Sequence, residues 1–282
     1  LRDWSSDVCS SDLIIDQDNV KRRKFYEVQS FFKEMKENEA LTQSEVKSDV
    51  AVVYDYESMA SFRIQRQSFL MDYKQEVYRL YRPFYKKNIN MDVIPSDSDF
   101  DKYKVLLLPV MIVHKKEVQD KVRKFVSGGG TVVFTYRTAV KDYYNNLTLG
   151  QFNPTYYTDL VGGYVEEVES FQDDQVAFLI GNEEFEGING TATVFRDMLK
   201  TTTAKTLFKY EDEFFEDLAA VTLNEYEGGK VYYIGSGADN TIMDAITNKI
   251  INESNLDAIE SEEGVEVVRR SLNNEDYYFV MN

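Results

Sequence analysis

The stretch VLLLPVMIVHKKEVQDKVRKFVSGGGTVVFTY, residues 105–136, decides the predicted fold. It begins with an apolar run that meets Pro109, a pattern typical of a strand buried on both faces of a parallel sheet. Apolar residues then recur at helical spacing over 115–126, and Gly128–Gly130 separates this helix from a second apolar strand at 131–136. Two strands joined by a helix through short connections indicate a βαβ unit.

The same alternation of strands and helices begins upstream. Residues 49–54 are rich in β-branched side chains, 74–87 carry an apolar stripe at helical spacing, and 91–94 are typical of a strand. An amphipathic helix is predicted at 21–36, and the polar segment 37–48 separates it from the first strand. We therefore predict an α/β fold with a doubly wound sheet, and a domain boundary within that polar segment.

The later part of the chain is richer in strands. Five segments are predicted to be antiparallel strands, the last of them a hairpin turning at Gly228–Gly229: 164–170, 175–180, 191–195, 204–210 and 219–234. We interpret them as a β-rich excursion from the α/β layer, followed by a closing helix at 239–251. Residues 265–269 and 277–281 then alternate like the first two strands of a new sheet, which suggests that the sequence is a fragment.

The composition favours a globular protein with neither a nucleic-acid nor a membrane partner. Hydrophobic residues make up 43% of the 282 residues, and the formal net charge is −17. Nucleic-acid binding requires a basic surface that neutralises phosphates, and no apolar run reaches the roughly 18 residues that would span a bilayer. A single cysteine cannot form an internal disulfide, which fits a reducing compartment. We therefore expect a cytoplasmic protein.

Two glycine segments resemble phosphate-binding loops in composition alone. Gly128–Gly130 lies between a helix and a strand, whereas such loops follow a strand and open a helix, so we interpret it as a helix C-cap and turn. Gly235–Ala238 does follow a strand and precede a helix, but it lacks the G-x-G-x-x-G spacing and a lysine. Asp239 or Asn240 is expected to cap that helix. No cofactor is predicted.

Few residues could carry catalysis or bind a metal. The only histidine, His114, comes just before the helix predicted at 115–126 and is expected to face solvent at the helix start. We assign it no catalytic role, because nucleophile–histidine chemistry also needs a third, orienting group. One histidine and one cysteine, Cys9, cannot supply the three or four ligands of a zinc site, and no EF-hand spacing is present. We predict no catalytic residue and no metal site, and the substrate-binding residues stay unassigned.

Paired acidic and aromatic residues form a second set of candidates. Two carboxylates on either side of a bond carry glycoside hydrolysis, and tyrosines can stack on sugar rings. With 49 acidic residues, carboxylate pairs arise by abundance, and a solvated face is the simpler interpretation. For the tyrosines, packing or an interface is simpler. The pairs are Glu166–Glu167, Glu183–Glu184, Glu262–Glu263, Tyr143–Tyr144, Tyr156–Tyr157 and Tyr232–Tyr233.

Several stretches, taken in order, resemble glycoside hydrolase family 42, the β-galactosidases built from a catalytic barrel, a trimerisation domain and a small C-terminal β domain. Their order and spacing across nearly all of residues 14–282 carry the resemblance more than any one motif does. The stretches are IIDQDNVKRRKFYEVQ (14–29), VAVVYDY (50–56), NMDVI (90–94), YKVLLLPV (103–110), VSGGGTVVFTYR (126–137), LVGG (160–163), GVEVVRR (264–270) and YYFVMN (277–282).

The resemblance implies a domain division and a role. Residues 14–47 would be the last helix of a barrel, 48–255 the α/β trimerisation domain, and 262–282 the first strands of the C-terminal domain. The middle domain would have a class I glutamine amidotransferase-like (flavodoxin-like) sheet with an added β-rich portion. Amidotransferase chemistry is excluded because no cysteine lies between 14 and 282.

The resemblance also implies where the chemistry is. The two catalytic glutamates of the family lie on the barrel, at the carboxyl ends of its strands, and those strands would precede Ile14. This chain would then be an inactive fragment of a retaining β-galactosidase. It would form the homotrimer contact of the parent and cap a neighbouring active site, while the galactoside binds in the barrel. The alternative is a free-standing, non-catalytic amidotransferase-like domain that binds or regulates.

The opening segment DWSSDVCSSDL, residues 3–13, contains the only tryptophan and the only cysteine of the chain. Its codons can be written so that they spell a sequencing-library adapter. We therefore interpret residues 1–13 as an adapter artefact, predicted to be disordered, which leaves Trp4 and Cys9 without functional meaning.

Overall fold

The computed structural model describes residues 14–15, 18–215 and 218–282. The predicted disorder of the adapter-like segment 1–13 concerns residues that lie outside this description. The chain divides into two compact units. The larger takes Ser48–Val268 with Val280–Asn282, and the smaller takes the described residues up to Lys47 with Arg269–Phe279. Within the described ranges, no helix has both the length and the apolar character needed to cross a membrane.

The elements are numbered in chain order. The α-helices are α1 (Arg23–Glu37), α2 (Glu39–Gln43), α3 (Tyr56–Ile64), α4 (Tyr73–Tyr85), α5 (Lys116–Ser127), α6 (Thr158–Val161) and α7 (Asn240–Glu253), and a 3-10 turn spans Glu183–Phe185. The strands are β1 (Glu45–Val46), β2 (Val50–Val53), β3 (Met91–Ile94), β4 (Val105–Leu108), β5 (Thr131–Thr135), β6 (Gly163–Ser170), β7 (Ala177–Gly181), β8 (Asn189–Thr201), β9 (Lys205–Tyr210), β10 (Ala219–Tyr226), β11 (Gly229–Ile234), β12 (Ser236–Ala238), β13 (Glu266–Leu272) and β14 (Glu275–Met281).

The larger unit is built on one eleven-stranded mixed sheet. Five neighbouring strands, in the order β3-β2-β4-β5-β11, are all parallel. In this part Val52 lies beside Val93 on one side and Leu107 on the other. Strands β2, β4 and β5 are buried along their whole length, which explains why they consist of unbroken runs of apolar and β-branched residues. The predicted α/β fold with a parallel core is confirmed.

Helices cover both faces of the parallel strands. Val50 and Val52 point into one core, which also contains side chains of α3, α4 and α7 such as Leu80. Ala51 and Val53 point into the other core, which is completed by α5 and α6. Because successive side chains of a strand point to opposite faces, burial of every residue requires such cover on both sides.

The β-rich portion is not an excursion from the α/β layer, and that part of the prediction is wrong. Strand β11 pairs in parallel with β5, Tyr232 lying beside Val133, and in antiparallel fashion with β10, Leu223 lying beside Tyr232. The remaining antiparallel strands continue from β10 through β9 and β7 to β8 in the same sheet. The predicted hairpin therefore joins the two halves, because its second strand has partners on both edges.

Two glycine segments set the end of α5 and the start of β11. Helix α5 ends at Ser127 and is capped by Gly128, whose N–H donates to the carbonyl of Lys124, and Gly129 has a φ of +94°. The predicted C-cap is confirmed. A Cβ atom on Gly229 would lie 2.1 Å from the carbonyl oxygen of Val126. Only glycine therefore lets β11 begin this close to the helix end.

The smaller unit contains α1, α2 and a three-stranded sheet in the order β1-β13-β14. The predicted amphipathic helix is present as α1, although none of its residues is buried and Phe32 is 62% exposed. The short strand β1 was missed within the polar segment. It pairs with β13, Val46 lying beside Arg270, whose guanidinium donates to the carbonyl of Ser44. Strands β13 and β14 are thus the second and third strands of a sheet that starts before the α/β unit.

Candidate assembly surface

A long segment, residues 137–157, leaves β5 at the carboxyl edge of the parallel strands. In open α/β sheets this edge is where functional loops gather. Arg137, Ala139, Asn145 and Tyr156 all have φ between +53° and +66°. Non-glycine residues are uncommon in this conformation, and they persist where the surroundings hold the backbone firmly. The segment is therefore a candidate functional loop.

Buried Lys141 anchors the start of this loop. Its ammonium donates to the side-chain oxygen of Asn145 at 3.1 Å and to the hydroxyl of Ser61 at 3.3 Å, and Ser61 donates to the same Asn145 oxygen at 2.6 Å. Burial lowers the pKa of the Lys141 ammonium, and nearby Arg137 acts in the same direction. These contacts fix the loop against helix α3.

His114 anchors the middle of the loop. Its Nδ1 accepts from the Gln119 amide at 3.2 Å, so Nε2 carries the proton and donates to the hydroxyl of Thr148 at 2.9 Å. Burial lowers the pKa of the ring, while Asp142 acts in the opposite direction. The expectation of a solvent-facing residue is wrong, because the ring is half-buried between helix α5 and the loop. Its contacts point to a structural role.

Arg123 anchors the end of the loop. Its guanidinium forms a two-pronged ion pair with Asp159, with both N–O distances 2.8 Å, and it also donates to the carbonyl of Tyr156. The ring of Tyr156 meets His114 edge-on, with the ring centres 5.2 Å apart. Two-pronged arginine–carboxylate pairs fix orientation as well as distance. The loop is consequently held at its start, middle and end.

The loop presents apolar side chains to solvent although it is anchored so firmly. Tyr144 is 81% exposed and Leu149 is 84% exposed. We name the exposed set the loop surface, and its members are Tyr143, Tyr144, Leu147, Leu149, Phe152 and Tyr156. Exposed apolar side chains gathered on one anchored loop are typical of an interaction surface, because exposed apolar area gains free energy when a partner covers it. An adjoining groove of about 770 Å³ runs along the start of α5.

A buried polar cluster lies beside the loop where the two halves of the sheet meet. One carboxylate oxygen of Asp197, on β8, accepts from the backbone N–H of Arg137 and from the hydroxyl of Tyr233, each at 2.7 Å. Its other oxygen has no partner within the described structure. Burial raises the pKa of Asp197, and Arg137 and Tyr233 oppose that shift. Sequence reasoning missed this cluster, because its members are separated by more than thirty residues.

The remaining candidate residues lie on solvated faces, in the core, on the loop surface or at a helix cap. All six paired glutamates are exposed on solvated faces. Tyr232 and Tyr233 are buried, whereas Tyr143 and Tyr144 belong to the loop surface. The side chain of Asp239 accepts from the N–H of Ile242 and caps α7. Among the described residues, no group of three or more His, Cys, Asp and Glu side chains is placed to hold a metal ion.

Most of this chain matches one known domain family. Residues 48–257 match the family described as the β-galactosidase trimerisation domain. The β-galactosidase BgaA of Clostridium cellulovorans is 30% identical over 249 residues, covering 86% of this chain and 36% of that protein. The β-galactosidase LacZ of Heyndrickxia coagulans is 29% identical over 263 residues, covering 92% and 39%.

Solved structures agree with these matches. The crystal structure of the β-galactosidase from Bacillus circulans sp. alkalophilus superposes with a TM-score of 0.85 and 26% identity, covering 95% of this chain and 41% of that one. A GH42 β-galactosidase from G. stearothermophilus gives a TM-score of 0.83 with 27% identity, covering 95% and 40%. The chain spans about two fifths of the length of these relatives. It belongs to the β-galactosidase trimerisation domain family.

Proposed function

We propose that this chain is the assembly part of a longer β-galactosidase and that it holds three copies of that enzyme together. The loop surface carries the proposal. Six exposed apolar side chains sit on a backbone that Lys141, His114 and Arg123 hold in place. A preformed surface loses little conformational entropy on binding, which favours association. In the parent, we place part of this surface at the wall of a neighbouring active site.

We also propose a finer classification and domain division. The parallel strands follow the order 2-1-3-4-5 when numbered along the chain, which is the flavodoxin-like order. This order supports a class I glutamine amidotransferase-like core extended by antiparallel strands. Residues 14–47 would end a barrel, 48–255 would form the trimerisation domain, and 262–282 would begin a C-terminal β domain. No cysteine lies between residues 14 and 282, so no disulfide can form there, which fits a cytoplasmic location.

In this proposal, hydrolysis of terminal β-galactosides is carried out by the barrel of the longer enzyme. A retaining mechanism needs one carboxyl group as acid and base and a second as nucleophile about 5 Å away. The glutamate pairs of this chain lie on exposed faces. The chain would therefore contribute assembly and a cap, and no catalytic residue.

The purified chain is expected not to hydrolyse a nitrophenyl β-galactoside. Release of nitrophenol would be followed by absorbance, with the same preparation checked for folding by circular dichroism. A full-length β-galactosidase of the family serves as the positive control. Turnover that co-purifies with the folded chain would show that catalysis does not reside in a barrel.

The double substitution Tyr144→Asp with Leu149→Asp is expected to weaken self-association of the chain at least ~10-fold, which corresponds to about 1.4 kcal/mol. Both side chains are among the most exposed of the loop surface, so burying a carboxylate in their place would oppose the contact. Sedimentation velocity across a concentration series measures the effect.

The control is Gln151→Asp, which adds one negative charge, where the double variant adds two, at an exposed position of the loop without removing an apolar side chain. It is expected to associate nearly as the unsubstituted chain does. Equal losses in the control and the double variant would mean that net charge, and not the loop surface, governs association. An unsubstituted chain that stays monomeric would refute the assembly proposal.

A further inference from the structure

The connection between helices α3 and α4 is basic in a chain that is otherwise acidic. Residues 63–74, RIQRQSFLMDYK, contain three basic side chains and one acidic side chain, whereas the formal net charge of the whole chain is −17. The basic side chains are Arg63, Arg66 and Lys74, and all three are exposed. A local excess of positive charge attracts anions to that part of the surface.

These three cations line one pocket, which we name the basic pocket. Its volume is about 430 Å³, within the range of about 300–1,000 Å³ that is usual for sites of small ligands. Its lining also includes buried Phe62 and Met71, and Phe69, whose side chain is 80% exposed. The basic pocket therefore offers both positive charge and apolar surface to a ligand.

The positive charge of the basic pocket is not neutralised from within the chain. In the described structure, none of its three cations forms an ion pair with a carboxylate, whereas Lys116 and Arg123 on α5 both do. Asp72 is the one carboxylate among the described residues that line the pocket. It caps α4, accepting from the N–H groups of Lys74 at 2.9 Å and Gln75 at 3.3 Å. The three cations are consequently available to a ligand.

Neighbouring elements hold the connection in shape. Gln67 has a φ of +63°, and its side-chain oxygen accepts from the guanidinium of Arg137 at 2.7 Å. The hydroxyl of Ser68 accepts from the N–H of Leu70 at 3.2 Å and donates to the carbonyl of Phe171 at 3.4 Å. The basic pocket is thus preformed, and a ligand can bind without first ordering the backbone, which favours affinity.

The excess of positive charge does not continue along α4. At the other end of this helix, Lys86 lines a groove together with Glu262, Glu263 and Glu266. These carboxylates repel a long polyanion such as a nucleic acid, which would have to follow the helix beyond the pocket. The charge pattern therefore favours a small anion that fits within the basic pocket.

We propose that the basic pocket binds a small organic anion with two or more carboxylate or phosphate groups. Arg63 and Arg66 suit either group, because the paired N–H donors of a guanidinium match two oxygens of a carboxylate or a phosphate. Three cations and one carboxylate leave a net charge of +2, so two negative charges on the ligand balance the pocket. Phe69 offers apolar surface to the carbon frame. This proposal does not depend on the assembly function.

Isothermal titration calorimetry of the folded chain with citrate and with fructose 1,6-bisphosphate tests this proposal. Citrate represents the carboxylate class and the bisphosphate represents the phosphate class, so binding of one alone assigns the class and binding of both shows that the pocket accepts either. Binding is expected at millimolar concentrations or below, and added sodium chloride should weaken it, because salt screens charges. The double substitution Arg63→Gln with Arg66→Gln should weaken it at least ~10-fold, because charge-assisted hydrogen bonds are lost.

The matched control is Lys200→Gln with Lys209→Gln, which removes the same two charges from exposed positions of β8 and β9 outside the basic pocket. It should bind the anions nearly as the unsubstituted chain does, and circular dichroism confirms that both double variants fold. Equal weakening in the two double variants would overturn the proposal, because net charge would then govern binding. Failure of the unsubstituted chain to bind either anion, or binding that salt does not weaken, would overturn it as well.

Discussion

Replacing Asp197 with alanine is expected to lower the free energy of unfolding by about 4 kcal/mol, because two buried donors lose their acceptor at a cost of about 1–3 kcal/mol each. The donors are the backbone N–H of Arg137 and the hydroxyl of Tyr233. They belong to the loop after β5 and to β11, while Asp197 lies on β8. The carboxylate thus ties three parts of the sheet together, and urea unfolding would measure its contribution.

Asparagine at position 197 is the matched control and is expected to cost much less. Its amide oxygen can accept both hydrogen bonds, and its NH₂ group would replace the carboxylate oxygen that has no partner. Burial raises the pKa of Asp197, which shows that the charged carboxylate is disfavoured at this site. A neutral amide avoids the cost of burying that charge. If alanine and asparagine destabilised equally, the charge and not the two hydrogen bonds would be what the fold requires.

The substitution Arg79→Met is expected to cost about 3–5 kcal/mol of unfolding free energy, since it leaves a buried carboxylate without its counter-charge. The side chain of Glu76 is 3% exposed, and Arg79 meets its two oxygens at 2.9 and 3.1 Å. A third bond, 2.7 Å long, runs from Arg79 to the carbonyl of Ala238. Burial lowers the pKa of the Arg79 guanidinium. The charge of Glu76 and its hydrogen bonds act in the opposite direction, and the pKa is raised.

A double-mutant cycle with Glu76→Gln separates the charge from the packing. Because Gln carries no charge, the double variant should recover at least about 1 kcal/mol relative to the sum of the two single losses. Urea unfolding of the four proteins gives the coupling directly. Additive losses would mean that Arg79 stabilises through its bond to Ala238 and its packing, and not through Glu76.

Continuous apolar segments were the predictable part of the fold. Strands β2 and β4 are buried on both faces, so every residue is apolar and the pattern is visible in a short window. Helix α3 was missed for the opposite reason. Its buried face includes Ser58 and Ser61, which satisfy the N–H of Val113 and the side chain of Asn145. A helix that buries hydroxyl groups against distant polar partners carries no apolar stripe.

The candidate site was predictable in its composition and not in its geometry. Tyr143 and Tyr144 were recognised as a pair whose simplest explanations were packing or an interface, and the structure exposes both. The anchoring partners could not be foreseen. His114 meets Thr148 across 34 positions, and Arg123 meets Asp159 across 36. Such pairs depend on how two elements approach, which a local pattern of side chains does not specify.

The sequence by itself determined the parallel core, the cap at Gly128 and the family, because each depends on short-range periodicity or on the order of segments along the chain. Only the tertiary structure decided that the antiparallel strands extend the same sheet, that His114 is an anchor, and that the loop surface is exposed. The physical reason is that burial on one face of a strand looks the same in sequence whichever neighbour provides the cover. Strand pairing and exposure are properties of the assembled sheet.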